Sequence, residues 1–371
     1  MWGFFMPCSE QAFFIGKKKG NLMKNAKFTI FGSFLIFLFA LIFVFMPWIL
    51  EKEKMDDPSQ KVVDAGRVEK DQIHIGLLQL MSHPSLDEIR QGIYDGLSVR
   101  GYEDGKNIMI HYENGQGDQN NLKMMSDYFV SESMDFLVGI ATPAAQALEN
   151  ASGGEIPLIF SAVTDPLGAG LVDSLDKPNR AVTGTSDDLD VRKQVDLLLE
   201  LLPNVQSIGI MHDSASVNVE KIVDSVVSYA SSKRIEVVVR TVTSTNDIQQ
   251  VAEQLAKEVE ALWLPNDNTI ASSMSSLVPI FDEAKIPIFP SVEAMVKEGG
   301  LATLGVNQYQ IGIDTANVLA DIIEGKDPST YPVLNSVKND IYVNGEKAKS
   351  LSIKLNKEFL DRALDISKGD E

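Results

Sequence analysis

Cysteine is almost missing from this 371-residue chain: Cys8 stands alone. No disulfide can form within the chain, and Cys8 precedes the long apolar run, so it cannot be the lipid-bearing cysteine that follows an export signal. Positive charge is scarce as well, with 33 Lys and Arg against 52 Asp and Glu and a net charge of −19. Nucleic-acid binding draws affinity from Lys and Arg displacing counterions, so that partner is not expected, and flat adhesion to anionic lipid is disfavoured. Histidine is limited to His74, His83, His111 and His212, without the i,i+4 pairs that hold a metal. Catalytic signatures are missing too. There is no G-x-x-x-x-G-K-[ST] phosphate loop and no G-x-S-x-G elbow, and "GAGLVD" (168–173) has Asp173 where a dinucleotide fingerprint needs its third glycine. The expectation is no enzyme, no cofactor and no metal.

Hydrophobic residues, at 44%, are in ordinary supply but unevenly spread. Residues 28–50, "FTIFGSFLIFLFALIFVFMPWIL", carry no charge. As a helix they would reach roughly 34 Å, enough for a hydrocarbon core of about 30 Å. Lys17, Lys18, Lys19, Lys24 and Lys27 precede the run and Glu51 follows it. That asymmetry predicts a cytoplasmic 1–27, a transmembrane 28–50 and an extracytoplasmic remainder, hence a single-pass protein of the cell membrane. A cleaved signal is the rival reading; the run is long for one, and no small-x-small site follows in "FMPWILEKEK". Met23, opening "MKNAK", is an alternative start. Residues 51–70 are polar and proline-marked and read as a tether. The first 50 residues hold five lysines and one glutamate, so the remainder is more acidic than the whole.

From residue 71 apolar runs alternate with helical periodicity. "QIHIGLLQL" (72–80), "NIMIHYE" (107–113), "DFLVGI" (135–140) and "IPLIFSAV" (156–163) read as buried strands. Between them, Leu86, Ile89, Ile93 and Leu97 recur at helical spacing, and helices are expected over 119–131 and from about 143. After "AVTGTSDDLD" the cycle restarts with strands at 206–212, 235–242, 260–265 and 286–291 and helices at 189–202, 215–233, 246–258 and 270–284. A helix over 309–325 and a late strand and helix complete the chain. The fold class is α/β, two Rossmann-like lobes with parallel sheets. Ligands in such sheets bind beyond the carboxyl ends of strands, which selects the loops "MSHP" (81–84), "ATPA" (141–144), "AVTDP" (162–166), "HDSAS" (212–216) and "PNDNT" (265–269).

"ATPAAQALEN", "IPLIFSAVTDPLGAGLV", "VTGTSD" and "PNDNT", in this order and spacing, resemble the substrate-binding proteins of ABC importers. More narrowly, they resemble the subgroup that includes streptococcal tryptophan and aromatic amino-acid binding proteins, over about residues 72–366. The resemblance implies a type I periplasmic-binding-protein fold with three crossover segments, near 183–189, 304–308 and 328–337. It implies lobe 1 from 71–187 and 308–330, lobe 2 from 188–305 and 335–371, and a permease with its ATPase as partners. The family usually carries a lipid-attached cysteine or a cleaved signal, and this sequence departs from that.

A zwitterionic amino acid in a dry cleft needs donors for its carboxylate and an acid for its ammonium. A helix N-terminus supplies free N–H groups and the favourable dipole end. Thr142, with Pro143 and Ala144 behind it, suits the carboxylate, or it caps its own helix. Asp165 and Asp267 are the ammonium candidates, with a lean to Asp267 on the second lobe; Asp before Pro is also turn chemistry, and Asp267 could cap the helix from about 269. Thr164, Asn266, Asn268, Thr185 and Ser186 are secondary candidates, whereas Asp187 is expected to cap the next helix. Ser82 and His83 would face the cleft, or His83–Pro84 is only a turn. Trp263 and Tyr309 are stacking candidates, Trp263 more as core. A membrane-anchored sensor is an alternative, but 27 residues are too few for a cytoplasmic output domain. A sugar or nucleoside is the alternative ligand.

Overall fold

The computed structural model describes residues 72–336 and 340–367. The expected cytoplasmic segment, membrane span and tether therefore lie outside the described residues. Among the described residues, no helix is long and apolar enough to cross a membrane.

The described residues open with β1 (Ile73–Gln79), α1 (Pro84–Val99), β2 (Ile108–Asn114), α2 (Gln119–Ser131), β3 (Phe136–Ile140), α3 (Thr142–Ser152), β4 (Leu158–Ser161) and β5 (Val182–Ser186). It continues with α4 (Val191–Leu201), β6 (Ser207–Asp213), α5 (Val217–Ser232), β7 (Glu236–Val242), α6 (Ile248–Leu255) and β8 (Ala261–Leu264). Then come α7 (Asn268–Ala271), α8 (Met274–Glu283), β9 (Ile288–Pro290), α9 (Glu293–Lys297) and β10 (Ala302–Gly305). The last stretch holds α10 (Gln308–Ile323), β11 (Leu334–Asn335), β12 (Asp340–Val343), α11 (Gly345–Ser350), α12 (Lys357–Leu360) and β13 (Ala363–Asp365).

Three sheets result. Six parallel strands in the order β11-β5-β4-β3-β1-β2 form the first lobe. The second lobe holds the parallel set β7-β6-β8-β9 and a smaller set β10-β12-β13. Within the smaller set β10 and β12 run antiparallel, a departure from wholly parallel sheets. Strands such as Leu77–Leu78 and Leu137–Val138 are buried on both faces by flanking helices, which is why their sequence reads as unbroken apolar runs. The helix expected over 270–284 is two helices, α7 and α8, parted at Ser272–Ser273, whose hydroxyls both bond back to the Thr269 carbonyl.

The chain passes between lobes three times: from β5 into α4, from β10 into α10, and from β11 to β12. Straight after the second passage, α10 lies against α1 with almost no gap. A Cβ added to Gly92 would fall 2.2 Å from the Tyr309 carbonyl oxygen, and one added to Gly312 would fall 2.1 Å from that of Ile89. Glycine is what lets these backbones meet.

Candidate functional site

Between the carboxyl ends of the two sheets lies a narrow polar cavity of about 10 Å³. Lobe 1 lines it with Ser85 and Leu86 of α1, Ala141 and Thr142 at the β3–α3 turn, Ala162 and Thr164 after β4, and Asp187 after β5. Asn266 and Asn268 of the β8–α7 loop form the opposite wall, and Gln308, the first residue of α10, closes the side.

Of the helices that begin at this cavity, α1 and α3 are not capped by a side chain. The α1 N-cap is His83 and the α3 N-cap is Ala141; neither makes a side-chain cap bond, and each helix has proline in its first turn. By contrast Asp118, Asp190, Asp267 and Asn307 each accept from the first turns of α2, α4, α7 and α10. Uncapped first turns leave backbone N–H groups available to an anion. The capping role open to Thr142 is thus not the one observed: α3 begins at Thr142 itself, which lines the cavity. Ala141 sits at φ 74°, ψ 155°, a region essentially reserved for glycine, and Ala162 is also left-handed at φ 55°. Strained non-glycine backbone on two adjacent strand ends marks where the fold is constrained for a purpose other than stability.

The polar groups around the cavity are incompletely satisfied. Ser85 Oγ, Asp187 Oδ1 and Gln308 Oε1 are buried without a hydrogen-bond partner, although the three residues are only 2%, 1% and 1% exposed. Such orphans are rare inside proteins, and these three line one space. Asp187 Oδ2 accepts from Asn266 Nδ2, and Thr164 lines the same side of the cavity. Burial nevertheless pushes the Asp187 carboxyl up to about 6, only partly offset by hydrogen bonding. The helix-cap role expected for Asp187 falls to Asp190, whose carboxylate accepts from Arg192 N at 3.2 Å.

Asp267 is differently placed. Its Oδ1 accepts from Ile270 N at 3.1 Å, capping α7, and its Oδ2 accepts from Asp213 N at 2.8 Å. It is buried and its carboxyl is raised, first by burial, yet both oxygens are engaged inside lobe 2 and it does not line the cavity. Asp165 holds Gly168 N at 2.9 Å in its own turn and meets Lys221 at 3.2 Å; the Gly168 bond, first of all, lowers its carboxyl. Thr185 bonds Thr315 at 2.8 Å and Ser186 donates to the Thr164 carbonyl at 3.3 Å, so both knit lobe 1 together. Ser82 is exposed and donates to Asp87, Pro143 is the second residue of α3, and Ala144 is core. Trp263 is core, its indole N–H donating to Gln194 at 3.2 Å. Tyr309 is partly exposed and donates to Asp95 on the face of lobe 1.

The lobes touch across the gap. His83 Nε2 donates to Asn268 Oδ1 at 3.1 Å, Asn266 reaches Asp187, Lys221 of α5 reaches Asp165, and Lys297 of α9 reaches Glu88 of α1 at 3.2 Å. Burial lowers the His83 pKa, so its ring is held neutral. Ser85 and Gln308 went unseen as site residues in the sequence, and Asp187, which lines the cavity, was expected to cap the next helix instead. Nothing around Ser85 or Gln308 distinguishes either from any polar residue near the start of a helix.

The profile of the ABC transporter substrate-binding protein family matches residues 74–366. This chain is an ABC transporter substrate-binding protein. Such proteins are binders, not enzymes, and the lobes form the α/β architecture of the type I periplasmic-binding-protein fold. A tyrosine-binding protein from Clostridioides difficile is 37% identical over 284 residues, 76% of this chain and 82% of that one. A Streptococcus pneumonia ABC domain in complex with L-Trp is 38% identical, with a TM-score of 0.76 over 79% of this chain and 99% of that one. A ligand-free, open substrate-binding protein from Clostridium difficile, 35% identical over the same shares, superposes less well, at 0.63. At nearly equal identity, this substrate-binding protein is nearer in shape to the L-Trp-bound relative, in keeping with the contacts that span its cleft.

Proposed function

We propose that the chain is the extracytoplasmic binding component of an ABC importer and captures an aromatic L-α-amino acid, tyrosine or tryptophan, by closing its two lobes. The observation that carries this is the trio of buried, unpartnered groups, Ser85 Oγ, Asp187 Oδ1 and Gln308 Oε1, around one cavity between the lobes. Their chemistry matches a zwitterion. Asp187 Oδ1 and Gln308 Oε1 accept from the ammonium, whose charge satisfies a carboxylate that burial otherwise disfavours. Ser85 and Thr142 hydroxyls, with the uncapped first turns of α1 and α3, donate to the carboxylate. The ammonium role falls to Asp187 in this reading, since both Asp267 oxygens are already held. The ligand's contacts with both walls would favour closure over the open arrangement. Asn266 and Asn268 are the second-lobe contacts.

The names of the relatives, one a tyrosine binder and one holding L-Trp, support the aromatic class. The charge-free run at 28–50 supports attachment of the body to the outer face of the cell membrane, which would raise its effective concentration near a permease. Titration calorimetry of the full-length protein against the twenty amino acids is the test. Saturable heat is expected with tyrosine or tryptophan; heat with none of the aromatic amino acids would overturn the assignment and turn attention to other small solutes.

A further inference from the structure

The α1–α9 contact carries charge that the ligand cavity does not use. Lys297 Nζ lies 3.2 Å from Glu88 Oε1 across the cleft and 2.9 Å from Glu293 Oε1 on its own helix. One ammonium is thus shared by two carboxylates. A third, Glu298, directly follows Lys297 within reach of the Glu88 charge, and its Oε1 is buried without a hydrogen-bond partner. The neighbouring elements do not relieve this excess. β9 and β10 bring no titratable side chain, Val278 of α8 lies against Gly299, and Asp282 of α8 is engaged with Lys347. From β12 the titratable groups are Tyr342 and Asp340, and the Glu293 and Asp340 charges help to raise Tyr342.

We propose that Glu88, Lys297 and Glu298 form a proton-dependent latch between the lobes: the closed cleft holds Glu298 protonated, and its ionisation next to Glu88 drives the lobes apart. This rests on the reading of the cleft as one that opens and closes. Burial first, and the Glu88 charge second, push the Glu298 carboxyl up to about 7 in the closed arrangement. Glu88 is itself raised, by burial, although Lys297 pulls it back. Opening separates α1 from α9 and returns Glu298 to water, so the closed state binds the extra proton. Closure is therefore favoured below about pH 7 and weakened as pH rises through that value. While the cleft is closed, Lys297 compensates Glu88, which leaves Glu298, whose buried oxygen has no such partner, as the titrating group.

The test needs no amino acid. Labels on Glu132→Cys in lobe 1 and Lys257→Cys in lobe 2 of the full-length, Cys8→Ser protein report the lobe-to-lobe distance in the ligand-free state. One proton predicts that the closed-to-open ratio falls about tenfold between about pH 6 and pH 8. Glu298→Gln should flatten the profile over that range and keep the cleft closed at the higher pH, leaving only the change below about pH 6 that Asp187 contributes. Glu88→Gln, which removes the repelling charge, should reduce the dependence. A cleft that stays open at both pH values, a wild-type distance that does not respond to pH, or a Glu298→Gln profile like the wild type would each overturn the latch. Because no ligand is present, such a failure leaves the amino-acid reading intact, while a failure of that reading appears in calorimetry and not here.

Discussion

The two walls of the cleft are built from the same plan, strand end followed by helix, yet they treat polar groups in opposite ways. On lobe 2, the loop after β8 is self-contained: Asp267 caps α7 and holds Asp213 N, and Asp213 in turn accepts from the Thr269 hydroxyl at 2.7 Å. On lobe 1, α1 and α3 start without caps, Ala141 and Ala162 sit at positive φ, and Asp187 keeps one oxygen unmatched. Two buried aspartates therefore have different work. The one whose hydrogen bonds are complete holds the scaffold; the one left incomplete is available to a ligand.

That contrast is most directly broken by exchanging the two acids. Asp187→Ala should weaken amino-acid binding about 100-fold or more by leaving the ammonium buried and unpaired, while Asp267→Ala, once folded, should stay within severalfold of wild type in calorimetry. Equal losses would erase the distinction. Chemical denaturation should give the reverse order. Asp267→Ala removes a cap and a second backbone bond and should cost about 2 kcal/mol, whereas Asp187→Ala should be neutral or stabilising because it removes a poorly solvated carboxylate. A smaller effect comes from pH. A ligand ammonium favours ionised Asp187 and so lowers its pKa in the complex, which means affinity is full above about pH 6 and is lost below it. Measured in a Glu298→Gln background, the decline should approach about tenfold per pH unit, and Asp187→Asn should abolish the slope. Ser85→Ala and Gln308→Leu should each reduce affinity by about tenfold, one hydrogen bond from a neutral side chain to a charged group being worth about 1.5 kcal/mol or somewhat more. If neither matters, the orphaned groups are not where the ligand sits.

Much of the architecture was legible because each strand of the parallel sheets is buried on both faces and writes a continuous apolar run. Short strands did not write one: "ATLG" of β10 and "LN" of β11 are too brief and too mixed to stand out. At the site, the rule that ligands meet strand carboxyl ends led to the loops whose Thr142, Thr164, Asn266 and Asn268 the structure brings to the cavity. It could not sort the acids. "SDDLD" (186–190) offers Asp187, Asp188 and Asp190 within capping range of one helix, and only packing decides that Asp190 caps while Asp187 turns inward. Alanine at 141 gives no sign of a glycine-like backbone, and Gln308 looks like any helix-opening residue. Both depend on where the second crossing and the β3 turn lie in space.

The meeting of Gly92 and Gly312 bears on how events in the cavity spread. Ser85 and Gln308 belong to different helices, one at the start of α1 and one at the start of α10, but those helices are jammed backbone to backbone. With no side chain between them to compress or rotate, α1 and α10 behave as a single stiff strut. A ligand held by either residue would therefore load both helices, and α10 begins where the chain swings from one half of the molecule to the other.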